Sequence, residues 1–153
     1  KHEQPVFRKT LKDLRELVTF TSLPFIAKGI MTPEDALICA EAGVRVVAVS
    51  NHGGRVLDYT PGVAEVLPEI AKSVGGKVLN TADGGVRTGY DVIKMLALGA
   101  DAVLIGRDII RAAVGAGSLG VRLFLERIYQ TLKHAMIMTR CPDLSSINND
   151  IVC

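Results

Sequence analysis

Cysteine is scarce in this chain. Only Cys39, Cys141 and Cys153 occur among 153 residues, and no two form a CxxC pair. That spacing supports neither a zinc site nor a disulfide framework. It points to a reducing, cytoplasmic setting, with the thiols as ordinary packing or surface residues. An excess of one charge is also missing. Lys and Arg number 18 against 16 Asp and Glu, a formal net charge of +2. So small and evenly spread a charge argues against nucleic acid as a partner. No apolar run approaches the ~20 residues of a membrane-spanning helix. The opening "KHEQPVFRK" is too polar to read as a signal peptide. It begins with Lys1 rather than methionine, so an excised or processed piece of a longer chain is expected.

What is present is an alternating pattern. Hydrophobic residues make up 48% and charged residues 22%, the balance of a globular α/β domain with a real core. Residues 8–19, "RKTLKDLRELVT", put Leu11, Leu14 and Val18 on one helical face. A short strand is expected over 24–28, closed by Gly29. A helix follows in "MTPEDALICAEAG", with Thr32 as N-cap, Pro33 in the first turn and Gly43 as stop. "VRVVAVS" reads as the next strand. "TPGVAEVLPEIAKSVGG" reads as a helix through Val63, Val66, Leu67 and Ile70, which Pro68 is expected to perturb. "KVLNTAD", "TGYDVIKMLALGA" and "DAVLIGR" continue as strand, helix and strand. From Ile109 to about Met138 the chain is expected to be helical with a break at "GAGSLG", before a turn-rich tail.

The order is one helix and then four strand–helix units. Apolar strands separated by helices predict a parallel sheet covered on both faces. Their spacing suits a (β/α)8 barrel or a doubly wound sheet. Polar residues and glycines recur at one place, the C-terminal end of each strand. These are Lys28-Gly29, Ser50-Asn51-His52, Asp83-Gly84-Gly85 and Gly106-Arg107. Ligands of parallel α/β folds sit at that edge.

Two of these ends suit an anion. "ADGGVRTG" and "LIGRD" each place glycine after a strand and then an arginine. Glycine lets backbone N–H groups approach an anion, the next helix N-terminus adds partial positive charge, and Arg87 and Arg107 offer bidentate donors. Two tight turns with solvated arginines are the plainer alternative. His52 suits a general base and Arg55 a carboxylate clamp; a helix cap or a carbonyl partner is the other reading of His52. Lys28 could stabilise negative charge or extend to solvent. Asp83 could bind a ligand hydroxyl or open an Asx-turn. Asp58 and Tyr59 read as turn or capping residues, His2 and His134 as terminal and helix-surface residues.

Three stretches carry a resemblance: "SNHGGRVLD" at 50–58, "DGGVRTGYDVIKMLALGADAVLIGR" at 83–107 and "LPFIAKGIMTPEDA" at 23–36. Together they resemble the C-terminal half of the FMN-dependent α-hydroxy acid oxidases and dehydrogenases, such as glycolate oxidase, lactate oxidase, mandelate dehydrogenase and flavocytochrome b2. The resemblance runs from about residue 8 to about residue 147. It implies an FMN-containing (β/α)8 TIM barrel of which residues 1–153 supply four C-terminal βα units. It implies oxidation of an L-2-hydroxy acid to the 2-oxo acid, with His52 as base and hydride passing to flavin N5. Arg55 would bind the substrate carboxylate. Lys28 would lie at the flavin N1–O2 edge, Ser50 would touch the flavin and Asp83 the ribityl chain. Gly85, Arg87, Gly106 and Arg107 would cradle the phosphate.

The family's first half has no counterpart in this sequence, including its substrate tyrosines, a second substrate arginine and the aspartate that orients the histidine. The half-barrel is therefore expected to pair with a missing N-terminal half, to self-associate as a homo-oligomer or to survive as a proteolysed core, and to be inactive alone. Two other functions compete: a non-catalytic FMN- or phosphate-binding module, and another phosphate-binding barrel enzyme such as an isomerase or nucleotide dehydrogenase. The 50–55 stretch argues against the last.

Overall fold

A computed structural model describes residues 7–152. The chain runs α1 (Leu11–Thr19), β1 (Ile26–Ile30), α2 (Pro33–Glu41), β2 (Val46–Val49), α3 (Val63–Val74), β3 (Leu79–Ala82), α4 (Gly89–Ala97), β4 (Ala102–Val103) and α5 (Arg107–Met138). The four strands form one parallel sheet in the order β1-β2-β3-β4. This is part of a (β/α)8 barrel, with β1 and β4 as its two edges.

Capping chemistry explains most boundaries. Helix α1 starts at Leu11 rather than at residue 8 because Thr10 and Asp13 close a capping box there. Helix α2 has the expected Thr32 cap and Pro33 in its first turn. Helix α3 differs from expectation, for it runs unbroken through Pro68. Pro68 and the carbonyl-bearing Ala64 one turn earlier are both exposed, so water takes up the hydrogen bond the ring removes. The expected break in α5 falls at Ala116 and Gly117, the latter at φ 56 and ψ −139. Strand β1 runs through Gly29 instead of stopping there, because a bulge between Lys28 and Ile30 absorbs the glycine. Strand β4 has two residues, not seven. Its ladder reaches only Thr81 and Ala82 of β3.

The core lies between the sheet and its helices. Val47, Val49, Leu67, Ile70 and Val74 are fully enclosed, each stabilising by roughly 1.5–3 kcal/mol. Cys39 and Cys141 are buried free thiols, and burial pushes the Cys39 thiol up, with Asp35 adding to the effect. Cys153 and His2 lie outside the described residues. The opposite face of the sheet is open: Ile26 is 57% and Leu79 56% exposed, although both stand level with Val46 in the ladder. An exposed apolar inner face is what a partial barrel leaves. Among the described residues, no helix is long and apolar enough to cross a membrane.

Candidate active site

The bulge at Gly29, with φ 97, is the first positioning device. It leaves the Lys28 side chain at the sheet's C-terminal edge. There Lys28 Nζ donates to Asp83 Oδ2 at 2.5 Å and to Ser50 Oγ at 2.6 Å. Ser50 Oγ in turn donates to Asp83 Oδ2 at 2.9 Å and accepts the His52 N–H at 3.2 Å. Three strand ends are thereby tied together. Lys28 pairs rather than extending freely to solvent, and the Asp83 carboxylate turns to Lys28 and Ser50 rather than closing an Asx-turn. Ser50 is 1% exposed and forms the floor. The other Asp83 oxygen, Oδ1, is buried and has no hydrogen-bond partner among the described residues. A buried acceptor of that kind is costly unless a donor reaches it.

His52 follows at φ 55, at the start of a short 3-10 turn. Asn51, not His52, caps that turn, its Oδ1 accepting the Gly53 N–H at 3.0 Å. The His52 ring lies over Gly29. A Cβ added at position 29 would stand 2.8 Å from His52 Cε1. Neither ring nitrogen has a hydrogen-bond partner among the described residues, so the capping and carbonyl-paired readings of the ring do not hold. Arg55 Nε donates to the His52 backbone carbonyl at 3.2 Å, and both residues line one cleft.

The turns after β3 and β4 build the other end. Gly84 and Gly85 have φ 93 and 76, which side chains tolerate poorly. A Cβ at Gly85 or Gly106 would meet nothing within 4 Å, so open space faces the backbone there. Asp91 fixes the turn that carries Arg87. Its Oδ2 accepts the Arg87 N–H at 3.1 Å, the Thr88 N–H at 2.9 Å and the Thr88 hydroxyl at 2.8 Å. Burial works against the ionised Asp91, but these hydrogen bonds and nearby Lys94 outweigh it and hold the carboxyl below its ordinary value. Arg107, the first residue of α5, reaches back to the 3-10 turn that follows β2. Its Nη2 would stand 3.2 Å from a Cβ at Gly53.

One cleft of about 270 Å³ joins these groups. Lys28, His52, Arg55, Asp83, Gly85, Arg87, Gly106 and Arg107 all line it, and Ser50 lies beneath. Asp58 and Tyr59 lie outside the lining, with Tyr59 wholly exposed, and His134 is exposed on α5. Two charged lining residues were not singled out in the sequence. Asp108 and Arg111 sit one turn apart on α5, with Arg111 Nη1 2.8 Å from Asp108 Oδ1. Asp108 Oδ2 also lies 3.8 Å from Arg87 Nε. Only their spacing of three residues at a helix start hinted at the pairing.

The cleft joins two kinds of chemistry. One gathers guanidiniums and open glycine backbone, suited to a phosphate. The other combines an unpaired imidazole with the Arg55 guanidinium, suited to a carboxylate-bearing molecule that gives up a proton. Asp83 Oδ1 is a buried acceptor without a partner among the described residues, on a residue of the same lining.

Comparison with known proteins gives sequence and structural matches. A peroxisomal (S)-2-hydroxyacid oxidase of Arabidopsis thaliana is 45% identical over 141 residues, covering 92% of this chain and 39% of the relative. An L-lactate dehydrogenase of Pseudomonas paraeruginosa is 44% identical over 139 residues, covering 91% and 36%. A mandelate oxidase solved with benzoylformic acid superposes with a TM-score of 0.88 at 39% identity, covering 92% of this chain and 42% of that one. The chain therefore spans less than half the length of the curated relatives it matches. The family of FMN-dependent dehydrogenases matches over residues 2–153, and the chain belongs to that family.

Proposed function

We propose that this chain is the FMN-binding, C-terminal half of an enzyme that oxidises a small L-2-hydroxy acid, lactate- or glycolate-like, to the 2-oxo acid. The observation that carries this reading is the single cleft whose lining combines phosphate-suited arginines and glycines, a buried unpartnered Asp83 Oδ1, an unpaired His52 ring and Arg55. The residues fit FMN. Gly85 and Gly106 would admit its phosphate to backbone N–H groups, and Arg87 and Arg107 would neutralise it. Asp83 Oδ1 would accept a ribityl hydroxyl. Lys28, fixed by Asp83 and Ser50, would hold positive charge at the flavin's edge. When bound, FMN supplies the acceptor for the hydride that leaves the substrate's α-carbon.

The chain's own residues do the rest. Arg55 binds the substrate carboxylate and so orients the α-carbon. His52 takes the proton of the substrate hydroxyl, for which its unpartnered ring is available. Gly29 leaves that ring the space it occupies.

The open edges β1 and β4 and the exposed Ile26 and Leu79 support pairing with an N-terminal half-barrel, with self-association as the other way to cover them. His52 has no carboxylate partner among the described residues. That supports inactivity of this half alone, and a second reading of it as an FMN-binding module without turnover. A cytoplasmic setting follows from the cysteine usage; the Arabidopsis relative is named as peroxisomal.

Anaerobic titration separates these readings. The intact protein is loaded with FMN and then given lactate or glycolate. Bleaching of the flavin absorbance is expected. FMN binding without bleaching would favour the binding module, and absence of FMN affinity would refute both.

A further inference from the structure

We infer that Arg111 is a third guanidinium of the phosphate end of the cleft and that Asp108 is the residue that positions it. The inference rests on the reading that this end takes the phosphate of FMN, and deepens it by naming two further residues.

The geometry is that of a hub. Asp108 Oδ1 holds Arg111 Nη1 at 2.8 Å, while Oδ2 stands 3.8 Å from Arg87 Nε. The carboxylate is largely enclosed, its side chain 21% exposed. The two arginines are open, at 67% and 71%. All three residues line the cleft together with Arg107. Exposed ion pairs of this sort add little to stability, so the consequence of the arrangement is where it places charge. Asp108 holds the Arg111 guanidinium by a hydrogen bond and stands within ion-pair range of Arg87, and the remaining N–H donors of both are free for the cleft.

The charge count fits one ligand class. Arg87, Arg107 and Arg111 against Asp108 leave two positive charges at this end, and Lys28 with Asp83 cancel at the floor. A phosphate monoester carries about −1.5 to −2 at neutral pH. A neutral sugar or a riboflavin without its phosphate would gain nothing from this end. Asp108 also lies in the first turn of α5, where a carboxylate is itself favoured by the helix dipole. That partly offsets the repulsion between its carboxylate and a bound phosphate.

The test compares FMN with riboflavin, using quenching of flavin fluorescence on the intact protein. Arg111→Met is expected to weaken FMN binding by roughly tenfold, the loss of one charge-assisted contact partly open to water, and to leave riboflavin affinity within about twofold. Asp108→Ala raises the net positive charge, so pure electrostatics predicts tighter FMN binding; positioning predicts weaker binding, and weaker binding is expected. Wild-type discrimination between FMN and riboflavin with none lost in Arg111→Met would overturn the role of Arg111 alone. Tighter FMN binding in Asp108→Ala would overturn the positioning role. Equal wild-type affinity for FMN and riboflavin would refute the phosphate reading itself, and this inference with it.

Discussion

Replacing Gly29 by alanine tests how the fold positions the base. Two costs arise, and they act on different observables. The backbone at position 29 has φ 97, a region where a side chain costs about 1–2 kcal/mol. The new methyl would stand 2.8 Å from His52 Cε1. Optimal carbon contacts are ~3.5–4.0 Å apart, so the imidazole must retreat by at least about 0.7 Å. Misplacement of a reacting group by ~1 Å costs on the order of 100-fold in rate. Gly29→Ala should therefore lower kcat by roughly 30- to 100-fold. FMN affinity should change little, since Gly29 does not line the cleft. Gly76→Ala isolates the strain: Gly76 has φ 77 with nothing within 4 Å of an added Cβ. It should lose a similar amount of stability in thermal melts and keep wild-type kcat. A Gly29→Ala protein with wild-type kcat, or a Gly76→Ala protein equally slow, would refute the reasoning.

Other outcomes follow from the same geometry. His52→Ala should reduce turnover by roughly 10²–10⁴-fold while FMN stays bound, measured by steady-state rates beside flavin content. Asp91 has a folded-state carboxyl below its ordinary value, so its stabilising effect is present above the unfolded carboxyl's pKa of ~3.9 and is lost as pH falls through the lower, folded value. Thermal melts of Asp91→Asn across acidic pH should show a shallower acid limb than wild type; coincident limbs would contradict the capping role of Asp91.

Much of this architecture was legible because local chemistry and tertiary context agree. Thr32 with Pro33 announces a helix start that the structure keeps. The glycine–arginine ends of β3 and β4 converge because parallel strands share one C-terminal edge. The discrepancies have physical reasons. Pro68 reads as a perturbation in sequence, yet it faces solvent, and the broken hydrogen bond is left to water. "DAVLIGR" is apolar enough for a full strand, but strand length depends on a neighbour's ladder, and β3 offers β4 two partners. Lys28 and Asp83 were each visible as polar residues at strand ends. Their mutual bond, bridged by Ser50, joins positions 55 residues apart, which no local pattern encodes. The link from Asp108 to Arg87 likewise depends on two turns meeting, not on either turn alone.

A crystal structure of the intact protein with FMN would test the central claim most directly. The account predicts the phosphorus atom beside Arg87, Arg107 and the Gly85 and Gly106 backbone, a ribityl hydroxyl on Asp83 Oδ1, and the His52 ring on the substrate side of the flavin. Phosphate density away from both arginines, or a flavin lying outside the cleft that Lys28 and His52 share, would contradict it.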